Sequence, residues 1–86
     1  MPVKRRADVV CRRIGNTAVL VDMATNQIFE LNATGYRVWE LLGEGLDRPS
    51  LDERLAREFD VDRQQLDRDV TELLTRLRDE RLITDN

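Results

Sequence analysis

The chain has 86 residues, 41 % of them apolar and 36 % charged, with a formal net charge of −3 at pH 7. That length allows one small domain, 1–86, and the mixture is too apolar for a disordered tail. No apolar run approaches the roughly 20 residues of a membrane span, and Met1-Pro2-Val3-Lys4-Arg5-Arg6 leads into no signal-peptide core, so a cytoplasmic protein without a membrane partner is expected.

The charge is unevenly spread. Residues 1–13 carry Lys4, Arg5, Arg6, Arg12 and Arg13 against Asp8, a net of about +4, which leaves about −7 on the rest. This basic start reads either as a frayed, soluble terminus or as a short arm that meets an acidic partner. Residues 8–14 (Asp-Val-Val-Cys-Arg-Arg-Ile) are rich in β-formers, and Gly15-Asn16 is a turn dipeptide that takes positive φ at little cost. Residues 17–22 (Thr-Ala-Val-Leu-Val-Asp) predict a second strand, after which Met23-Ala24-Thr25-Asn26 turn the chain. Gln27-Ile28-Phe29-Glu30-Leu31 alternates, with Phe29 and Leu31 on one face and Ile28 and Glu30 on the other. Three such strands in succession predict an antiparallel meander whose third strand lies at an edge.

The rest reads as helix. Asn32 is a good N-cap for a helix over 33–43, ended by Gly43 or Gly45. Ser50 and Glu53 have capping-box spacing and predict a helix over 51–59, with Leu51, Leu55 and Phe59 on one stripe. Asp62 and Gln65 open the longest helix, 63–80, where Leu66, Val70, Leu73, Leu74 and Leu77 fall at amphipathic spacing. Leu82-Ile83 is a short apolar tail able to pack back on the core. The fold class is α+β and winged-helix-like, a three-stranded antiparallel β-meander followed by three α-helices.

Several chemistries drop out. There is no His, which removes the usual general base and the commonest metal ligand. Cys11 stands alone, excluding an internal disulfide and a cysteine zinc site, and beside Val9-Val10 it reads as a small buried apolar side chain. None of the four Gly lies in a phosphate-cradling pattern. No catalytic residue, metal ligand or cofactor is expected, and the chain reads as a non-enzyme. A winged-helix outline also admits DNA. Helix 63–80 offers Arg63, Gln64, Arg68, Arg76 and Arg78, but interleaves Asp67, Asp69, Glu72, Asp79 and Glu80, a poor match for a polyanion. Nucleic acid is not the expected partner.

The segments Val19-Leu20-Val21-Asp22, Ile28-Phe29-Glu30-Leu31-Asn32-Ala33-Thr34-Gly35 and Val38-Trp39-Glu40-Leu41-Leu42 resemble the PqqD family. Downstream, Leu51, Leu55, Phe59-Asp60-Val61-Asp62, Leu66, Asp69-Val70, Leu73, Leu77 and Leu82-Ile83 follow the same family's helical pattern. The resemblance covers about residues 17–83. Its most specific element is the strand-to-helix junction Leu31-Asn32-Ala33-Thr34-Gly35 with the Trp39-Glu40-Leu41-Leu42 that follows.

The resemblance implies a recognition domain for the precursors of ribosomally made, modified peptides, without catalysis of its own. The precursor's leader would add as a strand beside the third strand, over a groove completed by the third helix. The domain would then deliver it to a leader peptidase and to a cyclase or other modifying enzyme. Two branches of the family compete. Members of the pyrroloquinoline quinone pathway often carry a Pro-Glu-Gly-type turn between strands and an Asp-Gly after the first helix. This chain has Asp22-Met23-Ala24-Thr25-Asn26 and Gly43-Glu44-Gly45 there. Those departures favour the stand-alone leader-binding proteins of lasso peptide pathways. A peptide chaperone of the quinone pathway is the alternative, and a winged-helix DNA-binding module a more distant one.

The residues support the same mode without the family. An open β-edge offers unpaired N–H and C=O groups that an extended peptide completes. The expected binding set is Gln27, Ile28, Phe29, Glu30 and Leu31 for backbone pairing, with Val70, Leu73 and Leu74 for apolar pockets. Asp69 or Arg76 would supply a polar contact at the rim. Leu73 and Leu74 point about 100° apart, so one serves the core while the other lines a groove. Leu74 is expected on the groove side and Leu66 in the core, the competing reading being that Leu73 and Leu74 are both core. Phe29 and Leu31 equally suit a core, which leaves Ile28 and Glu30 free to meet a partner.

Overall fold

The computed structural model describes residues 3–85. Its elements are β1 (Val3–Arg5), β2 (Val9–Ile14), β3 (Thr17–Asp22), β4 (Gln27–Leu31), α1 (Ala33–Gly43), α2 (Arg48–Glu58), α3 (Arg63–Asp79) and β5 (Ile83–Asp85). Gly15 turns the first hairpin at φ +64°, and Asn26 ends the second turn at φ 62°, a left-handed conformation that Asn tolerates. The sheet β2-β3-β4 is antiparallel, with β4 at one edge. Its register aligns Cys11, Leu20 and Phe29 in one row and Val10, Val21 and Ile28 in the next. Leu20 is fully buried and Ile28 exposed, so the first row faces the helices and the second faces solvent. The meander and the α+β class stand as expected.

Asn32 caps α1, its Oδ1 accepting the Gly35 N–H at 2.8 Å. A Cβ on Gly35 would come within 3.2 Å of that oxygen and 3.3 Å of Leu31 Cδ2, so the first helical turn lies hard against the end of β4. Helix α2 starts earlier than expected. Asp47, not Ser50, is its N-cap and accepts the Ser50 N–H at 3.0 Å, while Pro49 sits in the first turn, where a missing N–H costs no helical bond. Helix α3 begins as expected, yet Asp62 makes no side-chain capping bond, and Gln65 donates to Asp69 at 2.9 Å instead. No helix among the described residues is long and apolar enough to cross a membrane.

Leu20, Val38, Leu41, Leu51, Leu55, Val70 and Leu77 make the dry centre between sheet and helices. Arg37 of α1 grips Glu58 of α2 with two bonds, at 2.7 and 2.9 Å, which hold the Glu58 carboxyl below its ordinary range. Arg48 donates to Asp52, Asp67 and Thr71, each at 2.9 Å, and pins the start of α2 to the middle of α3. These two clasps tie α2 to α1 on one side and to α3 on the other.

The basic start is not frayed over its described residues, which corrects that expectation. Strand β1 pairs with β5, Val3 with Asp85 and Arg5 with Ile83. The Arg5 guanidinium lies 5.3 Å from the centre of the Trp39 ring, where cation and ring face attract. Arg6 binds Asp8 at 2.7 Å, the buried Asp22 at 3.2 Å and the Arg81 carbonyl at 2.8 Å. Just past the end of α3, Arg81 takes φ 60°, and the Leu82 N–H reaches back to the Leu77 carbonyl at 2.8 Å. This reversal sends Leu82 and Ile83 into the core.

Candidate functional site: the groove between strand β4 and helix α3

Turn geometry decides which backbone groups lie free along β4. A two-residue hairpin turn closes on a hydrogen-bonded pair, here Ile14 and Thr17, so residues 17, 19 and 21 of β3 bond to β2. Alternation leaves residues 18, 20 and 22 to bond β4, where they face Leu31, Phe29 and Gln27. The N–H and C=O of Ile28 and Glu30 therefore point out of the sheet. They form a two-residue ladder with no strand beyond it among the described residues.

Next to that ladder runs a groove of about 280 Å³, bounded by β4, α3 and the start of α1. Leu31, Val38 and Val70 form its buried floor, and Phe29 and Leu73 its half-buried apolar walls. Asp69 and Glu72 bring carboxylates to it, and Arg76 a guanidinium that lies 4.8 Å from the centre of the Phe29 ring. The groove is thus apolar below and charged around the rim. Such a shape suits an extended chain that buries alternate side chains and keeps its polar groups at the edge.

Of the residues singled out from sequence, Phe29, Glu30, Leu31, Asp69, Val70, Leu73 and Arg76 line this groove together. Gln27 and Ile28 do not. The Ile28 side chain is 68 % exposed on the outer face, and only its backbone belongs to the edge. Leu74 is a correction, because it is 4 % exposed in the core while Leu73 takes the groove wall. The reason is helix rotation: Leu66, Val70, Leu74 and Leu77 form one buried stripe, and Leu73 falls beside it. Asn32, Thr34, Gly35, Val38 and Glu72 also line the groove and were not foreseen. Glu72 could have been found, since Asp69, Glu72 and Arg76 recur at the spacing of one helix face. Asn32 and Gly35 carry only a capping signal, which gives no hint of a groove.

The family model described as Coenzyme PQQ synthesis protein D (PqqD) matches residues 17–83. The solved structure "TbiB1 in Complex with the TbiA(beta) Leader Peptide" is similar to this chain at 31 % identity, with a TM-score of 0.85 and 96 % of each chain covered. "Lasso peptide synthetase B1 complexed with the leader peptide" shares the fold, with a TM-score of 0.85 at 21 % identity, over 99 % of this chain and 100 % of that one. No curated protein matches.

Proposed function

This chain belongs to the PqqD family, and we propose that it binds the leader segment of a ribosomally made precursor peptide by adding it as a strand to β4. The observation that carries the proposal is the pair Ile28 and Glu30, whose outward backbone groups stand beside an apolar groove. Main-chain pairing supplies affinity without regard to sequence, and the groove between Phe29 and Leu73 supplies selectivity by admitting alternate side chains. The likeness to TbiB1, solved with a leader peptide, supports the reading, and the departures at Asp22-Met23-Ala24-Thr25-Asn26 and Gly43-Glu44-Gly45 favour a lasso-type pathway over the quinone one.

The domain acts by holding the leader at a peptidase and at a cyclase or other modifying enzyme, raising the local peptide concentration there. None of its own residues performs chemistry in this scheme. Processing of the precursor then depends on the domain at low peptide concentration and much less at high concentration.

The test is calorimetric titration with synthetic TbiA(beta) leader peptide, followed by amide hydrogen exchange. Binding at about micromolar strength or tighter is expected, with new protection at Ile28 and Glu30. No binding at about millimolar peptide, from this leader or from that of a precursor encoded beside the chain, rejects the proposal. Binding without protection in residues 27–31 rejects the edge.

A further inference from the structure

The outer face of the sheet carries a second concavity, formed by Ile14, Thr17 and Val19 and reaching Glu30, Leu31 and Asn32. Those last three residues also line the groove on the helix side, so the two depressions meet around the end of β4. Its apolar part is Ile14, 64 % exposed at the end of β2, together with the half-buried Val19 in the neighbouring strand. Glu30 and Thr17 border it with polar groups. Apolar centre and polar border are the anatomy of a pocket for a single aliphatic or aromatic side chain.

The direction of an added strand says which part of a peptide passes here. Every pairing in this sheet is antiparallel. A strand added antiparallel to β4 runs from beside Asn32 toward Gln27. Residues that precede the strand leave the edge at the Asn32 end, where the surface leads round onto Ile14 and Val19. We infer that this concavity is a second subsite, which takes an apolar side chain from the leader segment immediately preceding the added strand. The inference rests on the leader-binding reading and adds to it a site on the opposite face of the sheet. It also implies that the leader grips both faces of β4.

Two forms of the TbiA(beta) leader test this, the full peptide and one trimmed of the residues that precede its paired strand. Each is titrated against the full chain and against Ile14→Ser, an exposed position where the melting temperature confirms that the variant folds. The full peptide should bind about three- to tenfold more tightly than the trimmed one, the gain expected for one partly buried aliphatic contact. Ile14→Ser should erase that difference and leave the trimmed peptide's affinity unchanged. A benzophenone on the preceding segment should cross-link within residues 14–19. Equal affinities for the two peptides, or a difference that survives in Ile14→Ser with cross-links elsewhere, overturn the subsite and leave strand addition intact. Failure of both peptides to bind overturns the underlying reading instead.

Discussion

The Arg76 guanidinium sits 4.8 Å from the centre of the Phe29 ring, so a helix cation covers an aromatic side chain of the edge strand. Arg76→Ala removes the cover and should cost about 0.5–1 kcal/mol, as expected for an exposed cation–π pair. Arg76→Lys should recover only part of it, because an ammonium does not stack flat on a ring. Trp39 is buried, and its fluorescence reports urea unfolding of each variant. Equal midpoints for all three proteins would show that the pair contributes nothing to stability.

Leu73 and Leu74 should separate binding from stability. Leu74→Ala opens a cavity in the core and should cost about 2–5 kcal/mol, whereas half-buried Leu73 should cost clearly less. Leader affinity should respond in the opposite order, with Leu73→Ala weakening it about tenfold, equivalent to about 1.4 kcal/mol of lost burial. Urea midpoints and titrations on the same preparations check both halves. A binding defect confined to Leu74→Ala would put the groove wall in the wrong place.

Ile28→Pro attacks the ladder directly. Pro deletes the outward N–H and is tolerated on an edge strand, since no bond to β3 is lost. The variant should fold and lose leader binding by an order of magnitude or more, while Ile28→Thr, which keeps the N–H, should bind normally. Native binding by a folded Ile28→Pro would exclude pairing through that residue.

Acid should loosen the fold through Asp22, which is 2 % exposed. Burial pushes its carboxyl up, but the Ala24 N–H at 3.0 Å and the Arg6 guanidinium at 3.2 Å outweigh that and hold it below its ordinary value. The unfolded chain then takes up a proton at a pH where the folded chain does not. Stability is fully present above the unfolded value of about 3.9 and falls as pH drops through the lower folded one. Glu58 and Asp47, also held low by their hydrogen bonds, add to the same slope. Asp22→Asn should be less stable at neutral pH and should show a shallower acid slope in urea midpoints measured from about pH 6 to pH 2. Parallel curves for the two proteins would clear Asp22 of the effect.

The meander was legible because its signals are local: Gly15-Asn16 and Asn26 encode the turns, and Phe29 and Leu31 the buried face. The same holds for α1, whose cap lies in Asn32 alone. The start of α2 was misplaced because Asp47 and Ser50 both have capping chemistry, and Pro49 decides between them. Strands β1 and β5 were illegible. Each has three residues, too few for a periodic pattern, and each exists only because the other lies beside it. Leu73 and Leu74 differ for a related reason. Sequence gives the angle between them, but which one faces the core depends on how the Leu66, Val70 and Leu77 stripe seats against the other elements.

The pairing of β1 with β5 also orders events during translation. The meander can close as soon as its own residues have emerged, because its pairings join near neighbours along the chain. Val3–Arg5 must wait until Ile83–Asp85 has left the ribosome, and closing so long a loop costs more entropy than any other strand pairing described. Arg6 waits too, since one of its acceptors is the Arg81 carbonyl. A nascent chain stalled before residue 83 would hold an edge strand and a partly built groove while its first strand hung loose. The first strand is thus held only after nearly all the rest of the domain is in place.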